Sequence, residues 1–231
     1  MTLKSNKEVR EMLRAIFFDW NGTLLDDLET VFQSVLDIFQ HYHVSPPTLE
    51  DYRREITSNF IKFYLNHGIP PTATPEGLNE IRVKSLQAAG TGNLHLTEGI
   101  SEVLLYLSEH SRLHLGIVSS GNSELVPRQI EHLGINSFFA LVITGAYGDG
   151  KKAEALRQAL NQFGLQSREA MYVDDTQDGI EAAKEVGLWT VGAGWKTAYH
   201  DRERIALAKP NFLISEPREL IATAEDLSQV S

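Results

Sequence analysis

The sequence predicts an α/β fold: a parallel sheet covered by helices on both faces, carrying one inserted all-helical block. Two observations support this. Short, almost wholly apolar runs alternate with amphipathic stretches through most of the chain, and the alternation stops between residues 28 and 93, where only helix-like segments occur. A strand buried on both faces reads as a continuous apolar run, and each parallel crossover lays a helix over the sheet.

In chain order, the first strand is Ala15-Ile16-Phe17-Phe18. Helix-like segments follow over Leu28 to His43, Leu49 to Ser58, Phe60 to Asn66 and Pro75 to Ala88, interrupted by Ser45-Pro46-Pro47 and Gly68-Ile69-Pro70-Pro71. Proline and glycine at these points end one helix before the next begins. Strands then recur at Leu113 to Val118, Phe138 to Ile143, Met171 to Val173, Trp189 to Val191 and Phe212 to Ile214, with helices expected over 99–110, 123–133, 152–163, 178–186 and 217–227. This pattern divides the chain into a core of residues 1–26 and 94–231 and a helical cap of residues 27–93.

Composition narrows the chemistry. With 31 acidic against 21 basic residues and a formal net charge of -10, the chain repels polyanions, and no basic patch favours nucleic acid. It has no cysteine, so disulfides, thiolate metal sites and thiol nucleophiles are excluded. Residues 1–13 are charged and lack the apolar stretch of a secretory signal, and no uncharged apolar run is long enough to cross a bilayer. A cytoplasmic enzyme is therefore expected, with no membrane partner.

Ligands of open parallel sheets gather beyond the carboxyl ends of the strands, and four polar groups are expected there. Asp19 stands where the first apolar run stops, followed by the turn-forming Asn21-Gly22. The second strand ends in Ser119-Ser120-Gly121-Asn122 before a helix whose first amides suit an anion. Lys151 and Lys152 open a later helix, where either could meet a phosphate as a point charge. Met171-Tyr172-Val173 runs into Asp174-Asp175, adjacent carboxylates that repel each other unless a cation lies between them; hard oxygen ligands favour magnesium. Each group alone fits a turn, a helix cap or a solvated lysine. Their order and placement, all four at one edge of the sheet, is what points to a site.

These motifs resemble the four signatures of the haloacid dehalogenase superfamily. The first is matched by Asp19-Trp20-Asn21-Gly22-Thr23, the second by Leu115 to Ser119, the third by Lys151 or Lys152, and the fourth by Val173 to Lys184. The paired-acid form of the fourth is like that of the phosphoglycolate phosphatase and sugar-phosphate mutase group. Lys209 to Ile214 resembles the family's last strand, and the helical insert lies where the group's cap lies.

The resemblance implies a Rossmann-like core and a phosphatase acting on a small phosphorylated metabolite. Asp19 would attack phosphorus to give a phosphoaspartyl intermediate. Magnesium would be held by Asp19, the main-chain carbonyl of Asn21, and Asp174 or Asp175. Ser119, with Ser120, Gly121 and Thr23 about it, and one lysine would hold the phosphoryl oxygens; Lys152 is favoured and Lys151 stays open. Cap contacts to substrate are expected from Arg53 and Lys62, with Arg54, Tyr64 and His67 as further candidates.

One position departs from the pattern. Where phosphatases of the family carry an acid that protonates the leaving group and activates water, this chain has Asn21, which can keep the loop geometry but not exchange a proton near neutrality. Phosphonate hydrolases and dehalogenases also lack that acid, so either reaction on the same scaffold is an alternative. A phospho-ligand binding protein with weakened turnover is another.

Overall fold

The computed structural model describes residues 12–57, 59–90, 94–110, 112–148 and 150–228. The charged amino terminus, residues 1–11, and the expected end of the second helix at Ser58 lie outside the described residues. β1 (Ala15–Phe18) is followed by a two-residue β2 (Leu25–Asp26) and four helices: α1 (Leu28–His41), α2 (Leu49–Glu55), α3 (Phe60–Asn66) and α4 (Pro75–Ala89). The chain returns through β3 (His95–Leu96), which pairs antiparallel with β2, so the two crossings lie side by side. It continues as α5 (Ile100–His110), β4 (His114–Val118), α6 (Leu125–His132), β5 (Leu141–Ile143), α7 (Lys151–Phe163) and β6 (Ala170–Asp174). The last elements are α8 (Gln177–Val186), β7 (Trp189–Ala193), α9 (Arg202–Leu207), β8 (Phe212–Ile214) and α10 (Glu219–Ser228).

Six strands form one parallel sheet in the order β5-β4-β1-β6-β7-β8, which puts β1 between β4 and β6 and gathers their carboxyl ends. Side chains alternate along a strand, so Ile16 and Phe18 join Ile117, Val173 and residues of α5, α6 and α10 on one face. Ala15 and Phe17 join Tyr172 and the Leu156–Leu160 face of α7 on the other. With both faces covered, β1 is wholly buried, and each large apolar side chain there contributes about 1.5–3 kcal/mol of burial free energy.

α1 to α4 have a core of their own. Val31, Val35, Ile38 and Phe39 of α1 pack with Tyr52, Phe63, Tyr64, Ile69 and Leu78, and Tyr199 of the sheet layer leans against this cluster. Thr48 and Asp51 form a reciprocal capping box that starts α2 after Pro46-Pro47.

The structure shortens one expected strand and adds a helix. Of Phe138 to Ile143, only Leu141–Ile143 pairs; Asn136–Phe138 makes a 3-10 turn, and Phe139 sets its ring edge-on to Phe18 at 6.5 Å. Its apolar run is thus buried by docking against the core rather than by pairing. α9 carries one buried residue, Ile205, in a polar run, too little periodicity to read as a helix; Asp201 starts it by accepting from Arg204 N.

The insert is tied to the sheet layer at His200, which is buried. Its Nδ1 accepts from Gln177 N at 2.9 Å, which leaves Nε2–H to donate to Ile56 O at 2.9 Å. Arg53 donates to His200 O and Arg204 to Arg53 O. Burial pushes the His200 imidazole down to about 4, helped by the nearby Arg204 charge. A histidine held neutral in the fold but free to protonate when unfolded contributes stability that is complete above its ordinary value near 6.5 and is lost as pH falls toward 4. Between those values wild type should lose up to about 3 kcal/mol more than His200→Gln, read from denaturant midpoints at several pH values. Equal slopes for the two proteins would show that His200 is not held neutral.

Candidate active site

Nine of the sequence-predicted site residues meet at the carboxyl edge of β1, β4 and β6: Asp19, Asn21, Thr23, Ser119, Ser120, Gly121, Lys152, Asp174 and Asp175. Asp19 leaves β1 with its amide still bonded to Val173 O at 2.9 Å, so the backbone of the neighbouring strand fixes where its side chain starts. The turn after it depends on Gly22, at φ +73°. A Cβ there would stand 2.4 Å from Asp175 Oδ2, so only glycine allows the loop to lie against the acid pair. Trp195 Nε1 and Thr197 Oγ1 donate to Gly22 O and pin the loop from above.

Three carboxylates converge. One oxygen each from Asp19, Asp174 and Asp175 lie within 4.8 Å of one another, and all three residues are buried. Lys152, from the first turn of α7, is the ammonium among them: Nζ donates to Asp19 Oδ1 at 2.9 Å, reaches Asp174 Oδ2 at 3.4 Å and donates to Tyr172 Oη at 2.9 Å. Tyr172 in turn donates to Val118 O at 2.9 Å. Burial alone would lower the lysine's pKa, but Asp19 and Asp174 outweigh it and hold the ammonium protonated. Asp174 accepts from Thr176 N and Oγ1, and Asp175 from Thr23 Oγ1 at 2.7 Å and Tyr199 N at 2.6 Å.

Those hydrogen bonds do not balance the charge. Burial pushes both Asp174 and Asp175 upward; Lys152 partly offsets this at Asp174, while Asp174 and Asp19 raise Asp175 further. Three buried carboxylates against one ammonium, all hard oxygen donors, form a donor set that fits a divalent cation such as magnesium.

Ser119 is fully buried at the end of β4, and its Oγ accepts from Gly121 N at 3.0 Å. The Ser120 hydroxyl turns away to donate to Ala146 O. Gly121 lets two loops touch: a Cβ there would stand 2.9 Å from Asn21 Oδ1 and 3.2 Å from Ser119 Oγ.

Other predicted residues lie elsewhere. Lys151 pairs with Glu154 at 2.9 Å in solvent, one residue from Lys152 but pointing away from the acids. Lys62 is exposed on α3, and Arg53 donates to His200 O at the junction, with its buried Nε unpartnered among the described residues. His67 contacts Glu55 rather than the crevice.

Four residues near the site were not singled out from sequence. Tyr172 sits inside an apolar strand and reads as core. Tyr199, packed over Gly22, lies in the segment between the strands expected at Trp189 to Val191 and Phe212 to Ile214, where no motif marks it. Asp27 is buried, its carboxylate accepting from Asn21 Nδ2 at 2.5 Å and Gly22 N at 3.2 Å. Burial pushes its pKa up to about 6, against the pull of its hydrogen bonds from Asn21 and Gly22. Arg82, half-buried on α4, places its charge among Tyr52, Tyr199, Tyr64 and Asp27, and among the described residues it has no ion-pair partner. A lone arginine on a helix reads as a solvated face, so only the fold reveals it.

Comparison with known proteins agrees with this geometry. A family model described as haloacid dehalogenase-like hydrolase matches residues 16–193. A phosphoglycolate phosphatase from Synechococcus elongatus is 29% identical over 93% of this chain and 99% of its own. The pyrophosphatase PpaX of Listeria welshimeri is 27% identical over 93% of this chain and 97% of its own. Among solved structures, CbbY from Rhodobacter sphaeroides, in complex with xylulose-1,5-bisphosphate, superposes with a TM-score of 0.71 at 22% identity, covering 90% of this chain and 96% of that one. A haloacid dehalogenase-like family hydrolase from Streptococcus pneumoniae gives a TM-score of 0.72 at 21% identity, covering 91% and 98%. Matched in sequence over most of its length and sharing its fold with these structures, the chain belongs to the haloacid dehalogenase-like hydrolase family.

Proposed function

We propose that this chain is a magnesium-dependent phosphatase that hydrolyses a small phosphorylated metabolite through a phosphoaspartyl intermediate on Asp19. The observation that supports it is the buried cluster of three carboxylates around one lysine. Bound magnesium would offset the charge of nucleophile and phosphate, held by Asp19, the Asn21 carbonyl, Asp174 and Asp175. Such a cluster argues against metal-free carbon–halogen cleavage on the same scaffold.

Lys152 holds Asp19 through Oδ1 and so leaves Oδ2 to attack phosphorus. As the Asp19 oxygen bonds to phosphorus, the bond to the leaving oxygen breaks and that oxygen keeps the electron pair. Lys152 and the Ser119 loop then face the phosphoryl oxygens with positive charge and hydrogen-bond donors already in place, which is where electrostatic catalysis acts. Water then attacks phosphorus of the phosphoaspartate, releasing phosphate and restoring the Asp19 carboxylate.

The helices of residues 27–93 serve in this reading as the cap that closes over the crevice and excludes water. Among their cations, Arg82 is the one whose charge lies beside Asp27 and Tyr199, the residues that border the Asn21-Gly22 turn. A half-buried guanidinium without an ion pair suits an anionic remainder of the substrate, a carboxylate or a second phosphoryl group. The similar proteins named phosphoglycolate phosphatase and pyrophosphatase fit that class.

Asp19→Asn should lower turnover by roughly 10^3-fold or more while leaving the thermal midpoint intact, since it removes the nucleophile and relieves charge repulsion. Retained activity would remove Asp19 from its role. Excess chelator should silence the enzyme, and magnesium should both restore it and raise thermal stability, by about 2.7 kcal/mol at a hundredfold excess over Kd; activity and midpoint both unmoved by chelator would reject the metal. Arg82→Met should raise KM at least about tenfold for phosphoglycolate or pyrophosphate, the order expected of a lost charge-assisted hydrogen bond, and leave a neutral aryl phosphate unaffected. Equal effects on both would place Arg82 outside the substrate site.

A further inference from the structure

The first signature of this chain carries an amide where its family carries an acid, and the structure shows what that amide does. Asp27 occupies the residue before α1, the place where an aspartate ordinarily accepts from a helix amide. It makes no such bond. Its carboxylate turns back to the nucleophile loop, accepting from Asn21 Nδ2 at 2.5 Å and from Gly22 N at 3.2 Å. With Gly22 N–H donating to one carboxylate oxygen and Asn21 Nδ2 to the other, the Asn21 amide presents nitrogen to Asp27 and oxygen to the opposite side. That side faces the Ser119-Ser120-Gly121 loop at the mouth of the site: a Cβ on Gly121 would stand 2.9 Å from Asn21 Oδ1, and among the described residues no hydrogen bond reaches that oxygen.

We propose that Asp27 is a positioning residue that locks Asn21 with its carbonyl oxygen turned into the crevice, where it accepts a hydrogen bond from the water that hydrolyses the phosphoaspartyl enzyme. This rests on the phosphatase reading above. Asn21 then orients the water without taking its proton; the oxygen of that water bonds to phosphorus, the Asp19–phosphorus bond breaks, and the released phosphate carries the proton away to solvent. The same lock holds the amide nitrogen against Asp27, and an amide has no proton to give up to a leaving oxygen near neutrality. The substrates favoured are therefore those whose leaving oxygen departs without a proton, phosphoanhydrides, acyl phosphates and aryl phosphates, over simple alkyl phosphates.

The pair also explains why position 21 cannot be corrected alone. Asn21→Asp would set a second carboxylate at hydrogen-bond distance from Asp27, where both cannot stay ionised. Exchanging both residues, Asn21→Asp with Asp27→Asn, keeps one carboxylate and one amide and preserves the contact with its polarity reversed. The new amide oxygen accepts from Gly22 N, its nitrogen donates toward position 21, and the carboxylate gains the crevice.

Rapid-quench kinetics on the full chain with magnesium separate the steps, using an aryl phosphate and an alkyl phosphate. Asp27→Asn alone should draw Asn21 Oδ1 out of the crevice. Phosphoenzyme should then form from the aryl phosphate at the wild-type rate and hydrolyse at least about tenfold more slowly, with Asp27→Ser behaving likewise. The exchanged pair should gain roughly a hundredfold on the alkyl phosphate, the usual worth of a positioned acid–base group, whereas Asn21→Asp alone should not. Hydrolysis unchanged in both Asp27 variants, or a full gain from Asn21→Asp alone, would overturn the lock. Equal slowing of formation and hydrolysis would also overturn it, as the mark of a merely structural residue. A wild type that forms no phosphoenzyme from either substrate rejects the underlying mechanism, a different outcome from any of these.

Discussion

Everything at the carboxyl edge of the sheet is arranged around an excess of buried negative charge. Asp19, Asp174 and Asp175, all buried residues, bring oxygens within 4.8 Å of one another, with a small opening to solvent at Asp19 and Lys152, the ammonium that joins them. Leaving a buried charge unpaired costs several kcal/mol, so the surrounding structure reads as a set of answers to that cost. Thr23, Thr176 and Tyr199 donate to the acid pair, and Gly22 removes the Cβ that would press on Asp175. Tyr172 ties Lys152 to the backbone of β4. The remaining negative charge is what makes this group of oxygens one that could hold a metal ion.

That arrangement follows from strand order. β1 lies between β4 and β6, so residues far apart in the chain, Asp19, Ser119 and Asp174, end their strands together. The four-helix insert leaves and returns through β2 and β3, immediately beyond the nucleophile loop, and His200 and Tyr199 join it to the loop that follows β7. Asp27 joins the insert to the nucleophile loop, bonding Asn21 of that loop while it stands at the start of α1.

Much of this was legible in the sequence because it is carried by local patterns. Ala15-Ile16-Phe17-Phe18 ending at Asp19 fixes a buried strand and the place of its carboxylate, and Val173-Asp174-Asp175 does the same for the acid pair. The interruption of the alternation after residue 27 marks the helical insert. What remained hidden depends on tertiary placement. The choice between Lys151 and Lys152 is one of direction around a helix start: two adjacent side chains point about 100° apart, and only one faces the sheet. Tyr172 looks like any core aromatic, and its hydroxyl acquires meaning only from Lys152. Asp27 has the sequence appearance of a helix cap, while its carboxylate is turned to Asn21. Arg53 and Lys62 were the cap cations expected at the crevice, yet Arg53 donates to His200 O at the junction and Lys62 is exposed, while Arg82 sets its charge beside Asp27 and Tyr199.

The central claim is that the buried carboxylate cluster exists to make Asp19 a nucleophile toward phosphorus. Its most direct measurement is acid quench of wild-type enzyme mixed with a phosphorus-labelled aryl phosphate, followed by peptide mapping of the protein. A labelled phosphoryl group on the peptide that carries Asp19, formed and consumed at rates consistent with turnover, is the predicted result. Phosphate released at the full rate with no label on that peptide at any time point would contradict it.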